Sequence, residues 1–251
     1  PFERYAIRSS DELVRLNAND TGRRIADLPG FVSRMSDFTY SPTEDKFYGI
    51  TVFGELIQFE TNGSDATDLG PLVWEDRNLV VNGIASNSQG VLYVVGPEGF
   101  FLVNSENAQV QRIGPNDSSI ELIDFDVDGR LIGYQRSSPA GPQFVQLDLN
   151  TGEILEVLAS DVPTRSVDSI DVLPNGEVFT AGGFRETRSY TLDGQLVRGG
   201  FGNAGELSGM FFDDETPHRP RLRSLLEMLQ ARGIAVYTIS DLSRRFDMAW
   251  P

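Results

Sequence analysis

The chain has 251 residues, 39% of them hydrophobic and 23% charged, a composition that belongs to globular proteins and excludes disordered and collagen-like classes. Its 21 Lys and Arg against 37 Asp and Glu leave a net charge of −16, which repels polyanions and argues against nucleic acid or anionic lipid as general partners. Zero Cys and a single His exclude disulfides, thiolate zinc sites and cysteine nucleophiles, and leave His218 as the one candidate for a Ser-His-Asp triad. The longest apolar runs, at 91–95 and 100–103, are far short of the ~20 residues that cross a bilayer, so direct membrane insertion is not expected.

Taken in order, the predicted strands recur in sets. Runs at 5–7, 12–19 and 23–28 are followed by 35–40, 47–50 and 55–62. Next come 81–86, 91–95, 99–106 and 109–113, then 122–127, 130–134, 143–150 and 153–158. The last sets are 169–174, 177–181, 188–194 and 195–197, with one further run at 207–212. Each set carries an apolar anchor, Leu16, Phe59, Val103, Leu147 and Leu192, and these fall 43, 44, 44 and 45 positions apart. Gly-containing dipeptides such as Asn62-Gly63, Asp128-Gly129, Thr151-Gly152, Asn175-Gly176 and Asp193-Gly194 supply the left-handed residues that tight hairpins need.

A repeat of about 44 residues with four short strands and glycine hairpins is the size of one propeller blade. Over residues 3–213 the pattern resembles β-propellers of the broad NHL, YVTN and PQQ-like kind, and the resemblance implies an all-β ring. The aligned inner strands are 35–40, 81–86, 122–127, 169–174 and 207–212. The chain enters at a second strand and ends its repeats on an unaccompanied first strand. Pairing the two closes the ring in a one-plus-three arrangement, hides open edges and gives five blades. A six-bladed ring using 234–239 is the alternative. The expected propeller spans 1–216. In 217–251, Pro220, the Leu222, Leu225, Leu226 and Leu229 spacing and Gly233 predict a helix, then a β-run at 234–239 and a tail. This segment carries +3 against −19 for the rest, and it is expected to pack on the propeller or on a partner chain, with Leu222, Leu225, Leu226 and Leu229 as the docking face.

Four constellations bear on chemistry. The run at 124–129 opens like a calcium loop, but an EF-hand needs Glu where Gln135 stands, so Asp128-Gly129 reads as a hairpin turn. Aligned inner strands carry Asp37, Gly83, Asp124, Asp171 and Gly209 at one position. Three Asp converging on a channel would hold a hard cation such as Ca²⁺, or would accept backbone N–H bonds that tie blade to blade. Three inner carboxylates also resemble the arabinanase and furanosidase glycosidases, although all three are Asp and the opening Asp-Pro is missing. Aromatic residues in predicted loops, Phe53, Trp74, Phe100, Phe184 and Phe201, suit stacking on a ligand, and Trp74, Glu75, Asp76 and Arg77 combine one with hydrogen-bonding groups. His218 lies between prolines with no Gly-x-Ser-x-Gly motif in the chain and reads as a linker residue.

These features lead to a non-enzymatic binding or scaffold propeller that recognises a protein or glycan through loops at one end of the ring, needs no cofactor, and oligomerises, if it does, through 217–251. The rival expectation is a Ca-dependent hydrolase or lyase using the inner Asp set. An acidic, Lys-poor, Cys-free propeller is expected to be secreted or extracytoplasmic.

Overall fold

The computed structural model describes residues 3–8, 12–16, 22–30, 35–162, 167–182, 186–201 and 207–213. Its strands are β1 (Glu3–Arg8), β2 (Glu12–Leu16) and β3 (Gly22–Asp27), then β4 (Met35–Ser41), β5 (Lys46–Thr51), β6 (Glu55–Glu60) and β7 (Thr67–Pro71). A short pair, β8 (Val73–Trp74) and β9 (Arg77–Asn78), precedes β10 (Gly83–Ser86), β11 (Leu92–Gly96), β12 (Gly99–Val103) and β13 (Val110–Gly114). Next are β14 (Leu122–Phe125), β15 (Leu131–Gln135), β16 (Gln143–Leu147) and β17 (Ile154–Ala159). The repeats end with β18 (Ser169–Val172), β19 (Glu177–Gly182), β20 (Glu186–Thr191), β21 (Leu196–Phe201) and β22 (Leu207–Asp213).

These strands form five four-stranded antiparallel sheets: β22-β1-β2-β3, β4 to β7, β10 to β13, β14 to β17, and β18 to β21. We call them blades 1 to 5 in that order. Their innermost strands lie side by side as β22, β4, β10, β14, β18 and back to β22, so the molecule is a five-bladed β-propeller. The expected closure is present: β22 pairs with β1 from Glu3↔Asp213 to Arg8↔Leu207. The six-bladed alternative falls, because the last described strand completes the first blade.

Burial follows the layering. The second strands β5, β11 and β15 are buried along almost their whole length, since each blade is covered on both faces by its neighbours. This is why they read as continuous apolar runs and not as alternating ones. The outer strands β3 and β17 are mostly exposed. The described core divides into one cluster per junction. Tyr5, Ile7 and Leu13 meet Phe38, Phe47 and Phe59 between blades 1 and 2, and Leu122, Tyr134 and Phe144 meet Ile170, Val178 and Tyr190 between blades 4 and 5. Blades 2 and 3 share Tyr48, Ile50, Ile84, Val94 and Phe101. The chain divides into two units, Pro1–Asp214 and Glu215–Pro251. The expected helix with Leu222, Leu225, Leu226 and Leu229, the 234–239 run and His218 lie outside the described residues.

Candidate functional site

Two places bring chemistry-bearing side chains together: the channel lined by the inner strands, and the loop surface at one end of blades 2 and 3. Asp37, Asp124 and Asp171 all stand on inner strands, on β4, β14 and β18. They do not share one level. Asp124 pairs with Ile132 and Asp171 with Phe179, the rung that Thr39↔Tyr48 occupies on blade 2. Asp37↔Ile50 belongs with Leu122↔Tyr134 and Ser169↔Ala181, two residues nearer the strand start. Bonds between blades confirm this register. The Asp124 Oδ2 accepts the Val172 N–H at 2.6 Å between blades 4 and 5, and the Thr39 hydroxyl oxygen accepts the Ser86 N–H at 3.1 Å, the same tie between blades 2 and 3. The alignment of Asp37 with the other two is therefore corrected by two residues. The cause is physical: β4 is seven residues long against four for β14 and β18, and an offset of two residues keeps the alternation of faces, so Asp37-Phe38 matches Asp124-Phe125 in pattern while standing at another level.

Each carboxylate has backbone work. The Asp37 Oδ2 accepts the buried Ile84 N–H at 3.0 Å, and its Oδ1 accepts the Ser169 hydroxyl at 3.5 Å from blade 5, across the channel. Burial pushes Asp37 well above the ordinary carboxylate range, and the Asp124 charge adds to the rise while the Ile84 N–H opposes it. Burial likewise pushes Asp124 up to about 6 against the pull of the Val172 N–H and of a hydrogen bond with the Asp171 carboxyl. A bond between two carboxyl groups needs a proton between them. Among the described residues, no three His, Asp or Glu side chains approach one another closely enough to hold a metal ion.

The calcium-like run 124–129 is a hairpin turn. The Asp126 Oδ1 accepts the Asp128 and Arg130 N–H groups at 3.0 and 2.8 Å, its Oδ2 pairs with the Arg130 guanidinium at 2.7 Å, and Gly129 takes φ +79°. Asn87 does the same work on blade 3, accepting from the Gln89 and Val91 N–H groups at 2.9 and 3.0 Å.

The loop surface is built on the backbone. In the β5–β6 turn the Thr51 hydroxyl oxygen accepts the Phe53 and Glu55 N–H groups at 3.3 and 3.2 Å and donates to the Glu55 carboxylate at 3.0 Å. The Leu72 N–H then donates to the Gly54 carbonyl at 2.8 Å, and a Cβ on Gly54 would lie 2.0 Å from the Leu79 carbonyl oxygen. A Cβ on Gly96 would in turn lie 1.9 Å from the Val80 carbonyl oxygen. Three segments thus pack as one surface: the β5–β6 turn, the 72–82 connection, and the two-residue β11–β12 turn of Pro97 and Glu98. On it Val52, Phe53 and Val80 are 52%, 54% and 51% exposed. One oxygen of Glu98, Oε2, is buried and meets no hydrogen-bond donor among the described residues.

The predicted Trp74 group lies on the same connection. Trp74 and Arg77 flank a two-residue turn in which Glu75 and Asp76 both take positive φ, 49° and 59°. The Trp74 ring is half-buried, edge-on to Phe101 at 5.6 Å, with the Arg112 guanidinium 4.9 Å over its face. Glu75, Asp76 and Arg77 are exposed. Of the other loop aromatics, Phe53 is exposed as expected, whereas Phe100 is on β12 and fully buried because Gly99 ends the turn one residue earlier. Phe184 and the side chain of Phe201 lie outside the described residues. Val52, Val80 and Glu98 carried no motif; only an apolar residue inside a predicted turn, as at Val52, offered a signal.

No family model and no curated protein matches the chain. Solved structures with the same architecture do. A protein of unknown function from Bacteroides caccae is 11% identical with a TM-score of 0.53, over 86% of this chain and all of that one. A symmetrical protein from work on de novo evolutionary emergence is 15% identical with a TM-score of 0.54, over 83% and 93%. TolB from Acinetobacter baumannii is 13% identical with a TM-score of 0.53, over 84% of this chain and 66% of its own. At these identities the likeness is one of fold, and function has to be argued from the site.

Proposed function

We propose that this chain is a non-enzymatic binding or scaffold module that recognises a protein or glycan partner through the loops at one end of blades 2 and 3. One observation carries the reading: three large apolar side chains, Val52, Phe53 and Val80, stand half in solvent on a backbone locked by hydrogen bonds and close packing. Apolar groups held rigidly in water lose little conformational entropy on docking, which is how interface anchors behave. Glu75, Asp76 and Arg77 at the neighbouring hairpin supply a polar rim, and Trp74 is the strut that holds it. The reading includes a secreted or extracytoplasmic location, supported by the acidic, cysteine-free composition.

Peptide and glycan arrays probed with the wild-type chain and with a Phe53→Ser/Val80→Ser double variant test the proposal. Binding that disappears in the double variant supports it, and equal binding by both sinks it. A second reading, a Ca-dependent hydrolase or lyase, draws on the raised Asp124 carboxyl and its hydrogen bond with Asp171. Stoichiometric calcium in the purified chain, with a thermal shift on EDTA addition that Asp124→Asn abolishes, would favour that reading.

A further inference from the structure

The fourth strand of each blade is the edge of its sheet, and an edge offers unpaired N–H and C=O groups to any chain that reaches it. Cations or proline guard four of the five edges. β3 carries exposed Arg23 and Arg24, β7 ends on Pro71, β13 carries Arg112 and is bridged by Val73 just before its start, and β21 carries Arg198. β17, Ile154–Ala159, has no Lys, Arg or Pro, and no strand pairs with its outer side among the described residues. All five outer strands bulge against their neighbours, β17 twice, so the free ladder is short and side chains set what it accepts.

Those side chains are apolar and acidic. Leu155 and Val157 are 58% and 47% exposed, with Glu156 exposed between them. Val157 lies opposite Val145, which packs between blades 3 and 4, and Glu156 lies opposite Gln146 on the other face. From 137 to 164 the chain has Asp148, Glu153, Glu156 and Asp161 and neither Lys nor Arg. Cations on the flanking blades are engaged elsewhere. Arg112 stacks on Trp74 on the blade 2 side of its strand, Arg198 lies over Phe179 on the blade 1 side, and Arg130 and Arg136 pair with Asp126 and Glu121. Arg188 faces the blade 4–5 junction from the third strand of blade 5, where it donates to the Tyr190 hydroxyl oxygen at 3.3 Å. Carboxylates on this edge repel a second copy of a chain charged −16 and attract a cationic strand.

We infer that β17 is a docking surface separate from the loops of blades 2 and 3, and that its partner is an extended protein segment in which Lys or Arg alternates with Val, Leu or Ile. The segment lies along β17 as a fifth strand over a few residues. Its apolar side chains cover Leu155 and Val157 on one face, and its cations meet Glu156 on the other.

The test titrates the full chain with labelled ten-residue peptides in fluorescence anisotropy: one alternating Lys and Val, one alternating Glu and Val, and one with all its Lys in a block before all its Val. The alternating Lys peptide should bind about tenfold more tightly than the other two, and less tightly as salt rises. A Leu155→Ser/Val157→Ser double variant should weaken it by about fivefold or more and Glu156→Lys by about tenfold, with melting temperatures unchanged. Phe53→Ser in the loops, and Asp117→Asn, which removes one exposed charge elsewhere, should leave binding as it is. Amide hydrogen exchange along 154–159 should slow when the peptide is bound. Equal binding of the block peptide, equal binding by the double variant, or unchanged exchange along β17 overturns the inference. Binding lost in Phe53→Ser and kept in the β17 variants also overturns it, and supports the loop surface instead.

Discussion

Asp124 at neutral pH is held ionised in a channel that favours its protonated form. Its carboxyl is raised from 3.8 to about 6, so between those values the folded ring keeps a proton that the unfolded chain has released. Stability from this group is therefore fullest at the acid end of the window and falls as pH rises through about 6. Asp124→Asn keeps an acceptor for the Val172 N–H and offers its amide to Asp171. It should flatten the melting temperature between pH 4 and 7, and raise stability at pH 7.5 by on the order of 1–3 kcal/mol. An unchanged pH profile would show that the channel does not strain the carboxyl. Asp37 permits a separate comparison. Asp37→Asn retains an acceptor for the buried Ile84 N–H, while Asp37→Ala orphans it and should cost about 1–3 kcal/mol more in denaturant unfolding.

Blades 2 to 5 each lean on the one before through the turn between the third and fourth strands, where a left-handed residue closes the loop: Gly63, Ala108, Gly152 and Gly194. At Gly152, φ is +72° and an added Cβ would lie 2.6 Å from the Phe100 ring carbon. Gly152→Ala meets both backbone strain and overpacking, and a loss of about 2–4 kcal/mol is expected from chemical denaturation. Loss of less than ~1 kcal/mol would mean that blades 3 and 4 can slide apart at that turn. Such turns were legible in the sequence because Asn-Gly, Thr-Gly and Asp-Gly announce positive φ. The Val73–Asn78 hairpin was not, since Glu75 and Asp76 adopt the same φ without glycine, held by the Val73 bridge to Gln109 and the Trp74 stack. The offset of Asp37 was hidden for a related reason: it amounts to two residues, so every apolar residue keeps its face.

At the scale of the molecule, β22 returns to β1, so the ring closes within residues 3–213. Deleting 217–251 should leave a folded, β-rich ring that unfolds cooperatively, checked by circular dichroism and size-exclusion chromatography. An aggregated product would mean that the ring depends on that segment, and an intact ring that changes oligomeric state would place docking in it. The period of about 44 residues, the glycine turns and the mismatched ends determined the blade, its strand count and the closure, because these depend on local hydrophobic periodicity and on covering sheet edges. Tertiary structure alone decided which inner carboxylates share a level, that Trp74 braces a hairpin under Arg112, and that Phe53, Val80 and Glu98 adjoin. Those relations arise between segments 16 to 134 residues apart, through strand length, close backbone approach and burial, none of which leaves a periodic trace in the chain.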